Sequence, residues 1–138
     1  MTLHTPTTFA AMAIASVTLL AMRSPSAWAQ ETPYGPAVDQ PAALAYQAEQ
    51  RGDFDTAIIN YRRSRNAAAA LSDPILRDCG VAGAEARLRG AEAAKAYIQQ
   101  HERSRRRLSE ARNVSAAAFR EYWDQFDQAR PELVNSCP

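Results

Sequence analysis

Lysine is almost missing from this chain. Of its 16 basic residues only Lys95 is not an arginine, and 15 acidic residues face them, for a formal net charge of +1. A chain so balanced lacks the positive excess on which general nucleic-acid binding draws, so no nucleic acid is expected as a partner. Histidine and cysteine stop at two residues each. Beyond the N-terminal segment only His101, Cys79 and Cys137 remain, and they form no local cluster of the kind that ligates zinc or another transition metal. No metal or other cofactor is expected. Glycine is limited to five residues. The glycines in "GVAGAE" have neither a strand before them nor a lysine after them, which rules out a phosphate-cradling loop. No stretch alternates apolar and polar residues with period two, so no sheet is predicted.

A long apolar run is also missing. The longest, Phe9–Met22, has 14 residues without a charge. That is short of the roughly 20 needed to span a bilayer and matches the apolar core of a signal peptide. Ala27-Trp28-Ala29 then offers small side chains at the two positions a signal peptidase reads, which predicts cleavage after Ala29. Because no Lys or Arg precedes Phe9, an uncleaved N-terminal anchor is the competing reading. No cysteine follows the run at the distance a lipoprotein anchor needs. The predicted organisation is therefore a signal peptide over 1–29, a Pro-rich linker over 30–38 and a helical domain over 39–138. The exported chain carries 15 basic and 15 acidic residues, a net charge of zero. Its expected location is periplasmic or secreted, with no membrane contact after cleavage. In an oxidising compartment Cys79 and Cys137 are expected to pair and staple the C-terminal tail to a central helix; the alternative is two free thiols.

The domain reads as a series of short-linked helices, which makes neighbours antiparallel and the fold class all-α. A first helix is predicted from Asp39, with Asp39 as its cap and Pro41 in its first turn, to Gly52. A second starts at once, with Asp53 and Asp55 at its positive end and Phe54, Ala57, Ile58 and Tyr61 along one face. Asp73-Pro74 opens a third, expected to reach about Arg89 with Ile75, Cys79, Ala82 and Ala86 on one face. Gly90 is read as a second elbow, followed by a fourth helix over 91–112 and a break at Asn113–Ser115. A fifth helix carries Phe119, Tyr122, Trp123 and Phe126 as a stripe expected to lie in the core, and ends at Arg130-Pro131.

Residues 39–66 resemble a tetratricopeptide repeat. The resemblance rests on Leu44, Ala45, Ala48, Gly52, Ala57 and Tyr61 at that motif's packing positions and on the turn Gly52-Asp53-Phe54-Asp55. Pro41, Ser64 and the late Pro74 depart from it. Arg87–Gln99 is similar to a degenerate second copy, its Gly90 falling 38 residues after Gly52. One such hairpin cannot bury its own apolar face, so the later helices, or a second protomer in a homo-oligomer, must complete the core. The resemblance implies a non-catalytic scaffold for a peptide or protein partner, held on the inner face of the first helix. By position that face carries Asp39, Ala42, Tyr46, Glu49 and Gln50. Mildly acidic with one aromatic, it suits a basic or extended peptide.

Two other features compete for a function. Arg103, Arg105, Arg106 and Arg107, placed on the fourth predicted helix, suit an anionic envelope polymer or lipid surface; a solvated face with ion pairs to Glu102 and Glu110 is the plainer account. A Cys79–His101 nucleophile and base would make a small thiol-dependent enzyme, provided Cys79 is free.

Overall fold

The structure is a computed structural model that describes residues 32–138. The predicted signal peptide and its cleavage site lie outside the described residues. Four helices follow one another: α1 (Pro36–Gln50), α2 (Phe54–Ala69), α3 (Pro74–Gln100) and α4 (Arg107–Ala129), with one 3-10 turn at Pro131–Leu133. Among the described residues there is no strand, and each helix packs antiparallel against the next. The fold is all-α, two helical hairpins in series, the second ending in the aromatic helix. Among the described residues, no helix is long and apolar enough to cross a membrane.

The first elbow forms where the glycine predicts it. Gly52 adopts φ +77°. Its N–H donates to the Glu49 carbonyl at 2.9 Å, and the Asp53 N–H donates to the Ala48 carbonyl at 2.9 Å. This pair of bonds satisfies the Ala48 and Glu49 carbonyls at the end of α1 and is the Schellman arrangement, which favours a residue without a Cβ. Asp53 also caps the next helix, its side chain accepting from the Thr56 N–H at 3.1 Å. One residue therefore closes α1 and opens α2, which is why no linker is needed. At the crossing Ala45, Ala48 and Ala57 are wholly buried, with Phe54, Ile58 and Tyr61 filling between them. Small side chains let the helix axes approach and the large ones occupy the remaining volume. Leu44, by contrast, points outward and is 53% exposed.

α1 begins three residues earlier than the sequence suggests. Pro36, not Pro41, occupies the first turn, and Gly35 at φ +82° precedes it. Gly35 accepts from the Val38 and Asp39 N–H groups, so Asp39 lies inside the helix rather than capping it. Pro41 is interior; its missing N–H leaves the Ala37 carbonyl without its usual helical donor. Asp73 and Pro74 start α3 as expected, the Asp73 side chain accepting from the Leu76 N–H at 2.9 Å.

The second elbow is not at Gly90. α3 runs unbroken through that residue to Gln100, and the chain turns at 101–106 instead. Gly90 serves the crossing of α3 and α4: a Cβ there would lie 2.8 Å from Ser115 Oγ and 3.0 Å from its carbonyl oxygen. Asn113 and Ser115 lie within α4, so the predicted fourth helix is in fact the end of α3 and the start of α4. Gly80 plays a similar part, with Ala68 and the Tyr34 ring against it. Ile75, assigned to the core face, is 45% exposed.

Beyond α4 the tail folds back. Leu133 is buried, and Cys137 is bonded to Cys79 across a sequence separation of 58 residues. Arg130 sits between Asp78 at 3.1 Å and Glu132 at 2.6 Å. Its guanidinium holds both carboxyls below the ordinary carboxylate range. No cysteine is left free.

Candidate functional groove

α1 and α4 flank α3 without packing along each other's length, and an open groove remains between them. Near the elbow the two helices come together. There the Leu108 side chain of α4 covers Gly52, and Arg112 donates to the Gln50 carbonyl at 2.8 Å, supplying a donor to the exposed end of α1. Away from the elbow the groove widens into a cavity of about 780 Å³. Its walls are Tyr34, Val38, Ala42 and Tyr46 on one side and Phe119 and Trp123 on the other. Gly83, Ala84 and the Cys79–Cys137 bridge lie below them. A smaller cavity of about 230 Å³ continues it toward the elbow, lined among others by Glu49, Gln50, Arg112 and Ser115. Tyr46, Arg87 and Phe119 border both. A mostly apolar concavity of this size, with a few polar groups at fixed positions, is the form binding sites usually take.

The residues predicted on α1 come together here. Asp39, Ala42 and Tyr46 line the larger cavity and Tyr46, Glu49 and Gln50 the smaller. Their chemistry is less available than their position suggests. Glu49 accepts the hydroxyl of buried Tyr61 at 2.6 Å; burial first and this bond second push the Tyr61 pKa far up and keep the phenol neutral. Asp39 accepts from the Thr32 hydroxyl. Tyr34, half buried beside Asp39, is likewise pushed up by burial first and that carboxylate second. Ser64, a departure from the repeat pattern, is fully buried and donates to the Val38 carbonyl at 2.9 Å, anchoring the start of α1 to α2.

The aromatic stripe does not form the core. None of Phe119, Tyr122, Trp123 and Phe126 is fully buried. They stack edge to face around Trp123, whose ring centre lies 6.3, 6.4 and 5.4 Å from those of Phe119, Tyr122 and Phe126. Phe119 and Trp123 present their remaining surface to the groove. The core is instead built mainly from alanines with Phe54, Ile58, Tyr61 and Leu88, which leaves the large aromatics of α4 at its margin. The i, i+3, i+4, i+7 spacing identified the stripe correctly; it carries no information on how much of the stripe is covered.

Arg87 is a groove residue that no spacing or motif singles out. Its guanidinium carbon lies 4.8 Å from the centre of the Phe119 ring and 5.9 Å from that of Tyr46, bridging the two walls of the groove. Both distances are within cation–π range.

The remaining candidates fall elsewhere. Arg103, Arg105 and Arg106 lie on the 101–106 turn and Arg107 begins α4, so they are not spread around a helix as predicted. All four are exposed, and among the described residues none forms an ion pair; Glu110 accepts the Tyr97 hydroxyl instead. The Cys79–His101 pair is not formed. Cys79 is disulfide-bonded within α3, and His101 is the cap after its last residue, 22 positions on and about 33 Å away at helical rise. His101 ends α3, stacked on Tyr97 at 4.0 Å. Among the described residues there is no group of three or more His, Cys, Asp or Glu side chains that could hold a metal ion. No protein-family model, curated protein or solved structure matches the chain.

Proposed function

We propose that this protein is an exported, non-catalytic scaffold of tetratricopeptide-like design that captures a peptide or protein partner in the groove between α1 and α4. The observation that carries this reading is the groove itself. It is a cavity of about 780 Å³ whose apolar walls come from two helices that do not close on each other. Such an arrangement suits an inserted segment of another chain. The hairpin chemistry at Gly52 and the buried alanines of the crossing support the repeat-like reading of residues 39–66. The disulfide supports an oxidising compartment, in keeping with a cleaved signal peptide and a periplasmic or secreted location. The test is recovery of a partner from envelope extract on the purified chain, with Tyr46→Ala and Trp123→Ala run beside it. Loss of the same partner with both variants supports groove capture; retention with both contradicts it.

A second reading has its own observation. The four arginines at 103, 105, 106 and 107 are exposed, and among the described residues none forms an ion pair. They suit an anionic envelope polymer or lipid surface. That reading requires binding to fall steeply with salt and to vanish when these arginines are reversed to glutamate. Groove capture requires neither.

A further inference from the structure

Arg87 alters the kind of partner the groove suits. Read from α1 alone, the face is acidic. In the structure each acidic group on it is hydrogen-bonded within the chain, Glu49 to Tyr61 and Asp39 to Thr32. Arg112 is likewise engaged, with the Gln50 carbonyl. Arg87 differs. Among the described residues its guanidinium has neither an ion-pair partner nor a hydrogen-bond acceptor. The rings of Tyr46 and Phe119 flank it, their centres 5.9 and 4.8 Å from its carbon. Ring contacts satisfy none of its N–H groups, and Arg87 lines the space between α1 and α4, so an acceptor on whatever occupies that space can reach them. A guanidinium held this way loses little freedom on pairing with a carboxylate, and its fork geometry matches one. Seating an apolar segment beside it removes water from those N–H groups, which makes an acceptor on the incoming chain necessary.

We infer that the groove's occupant is a peptide segment bearing an acidic side chain flanked by large apolar ones, its carboxylate on Arg87 and its apolar groups against Phe119 and Trp123. Asp39 stands seven positions from Tyr46 on α1, about 10 Å away, so it repels a second acid at that end while leaving the Arg87 position favourable. This inference rests on groove capture and adds the chemistry of the ligand to it.

The experiment pans a random 12-residue phage-displayed peptide library on the purified chain and measures the selected peptides by fluorescence anisotropy. Selected sequences are expected to share an Asp or Glu beside Leu, Phe or Trp. Arg87→Gln is expected to weaken them roughly tenfold or more, and Arg87→Lys less. Changing the peptide's acid to its amide is expected to cost the same and to add nothing further on Arg87→Gln. Peptides that depend on Trp123 and Tyr46 yet carry no acid, or that ignore Arg87→Gln, overturn the inference and leave groove capture standing. Failure to select any peptide sensitive to Trp123→Ala or Tyr46→Ala overturns both. Arg87 is exposed, so its variants are expected to melt as the parent does, which keeps a loss of binding separate from a loss of fold.

Discussion

Replacing Cys137 with serine isolates the contribution of the staple. Cys137 is the better of the two positions to change. It is half-buried on the tail, whereas Cys79 is buried within α3, where a new hydroxyl would add a desolvation cost of its own. The bridge closes a sequence separation of 58 residues. In the chain-entropy description a loop of that length stabilises the fold by about 4 kcal/mol through the unfolded state. For a domain of this size each kcal/mol moves the melting temperature by about 4–8 °C, so the variant should melt roughly 16–32 °C lower. Urea unfolding followed by far-ultraviolet circular dichroism measures the change. The slope should also rise, because an unbridged unfolded chain exposes more surface. Thiol titration of the denatured parent should find no free thiol before reduction and two after it. A change below about 1 kcal/mol with an unchanged slope would show that the bridge does not constrain the unfolded chain.

Other expectations follow from the turns and crossings. Gly52→Ala should cost about 1–2 kcal/mol from its positive φ alone, and more if Leu108 cannot move from the added methyl, as urea midpoints would show. Gly90→Ala separates a crossing from a permissive site: an uncrowded helix would gain about 1 kcal/mol, but the contact with Ser115 predicts a loss of roughly 1–3 kcal/mol. A stabilised Gly90→Ala variant would contradict the close approach of α3 and α4. Arg130 holds the Asp78 and Glu132 carboxyls below their ordinary values of 3.8 and 4.5. Groups depressed in the folded state stabilise it above their unfolded pKa and lose that effect as pH falls through the folded one. The stability difference between the parent and Arg130→Gln should therefore be present at pH 6 and shrink below about pH 4. An equal difference at pH 2, again by urea midpoints, would rule out the clamp.

The first hairpin was legible because its signals are local. Gly52, Asp53 and the alanines at the crossing each fulfil a requirement that involves only near neighbours in sequence. Asp73-Pro74 and Arg130-Pro131 are of the same kind. The second hairpin was not legible, because its turn, His101 to Arg106, contains neither glycine nor proline, and α4 starts without a side-chain cap. Gly90 carried the signal of an elbow while meeting the need of a helix crossing, and composition alone does not separate the two. For the groove, α1 supplied Tyr46 and Glu49 in advance, since one face of one helix is readable from spacing. Arg87, Phe119 and Trp123 enter only through the packing of α3 and α4, which no single-helix pattern records. The disulfide was inferred from compartment and cysteine count, and the fold brings the Cα atoms of the pair within 5.4 Å.

The most direct test of groove capture is hydrogen exchange by mass spectrometry on the chain, free and bound to the partner recovered from envelope extract. Groove capture is expected to slow exchange over residues 34–50, 79–87 and 115–126, with little change at 101–107. Slowing centred on 101–107, with 34–50, 79–87 and 115–126 unaffected, rules groove capture out and assigns binding to the arginine turn.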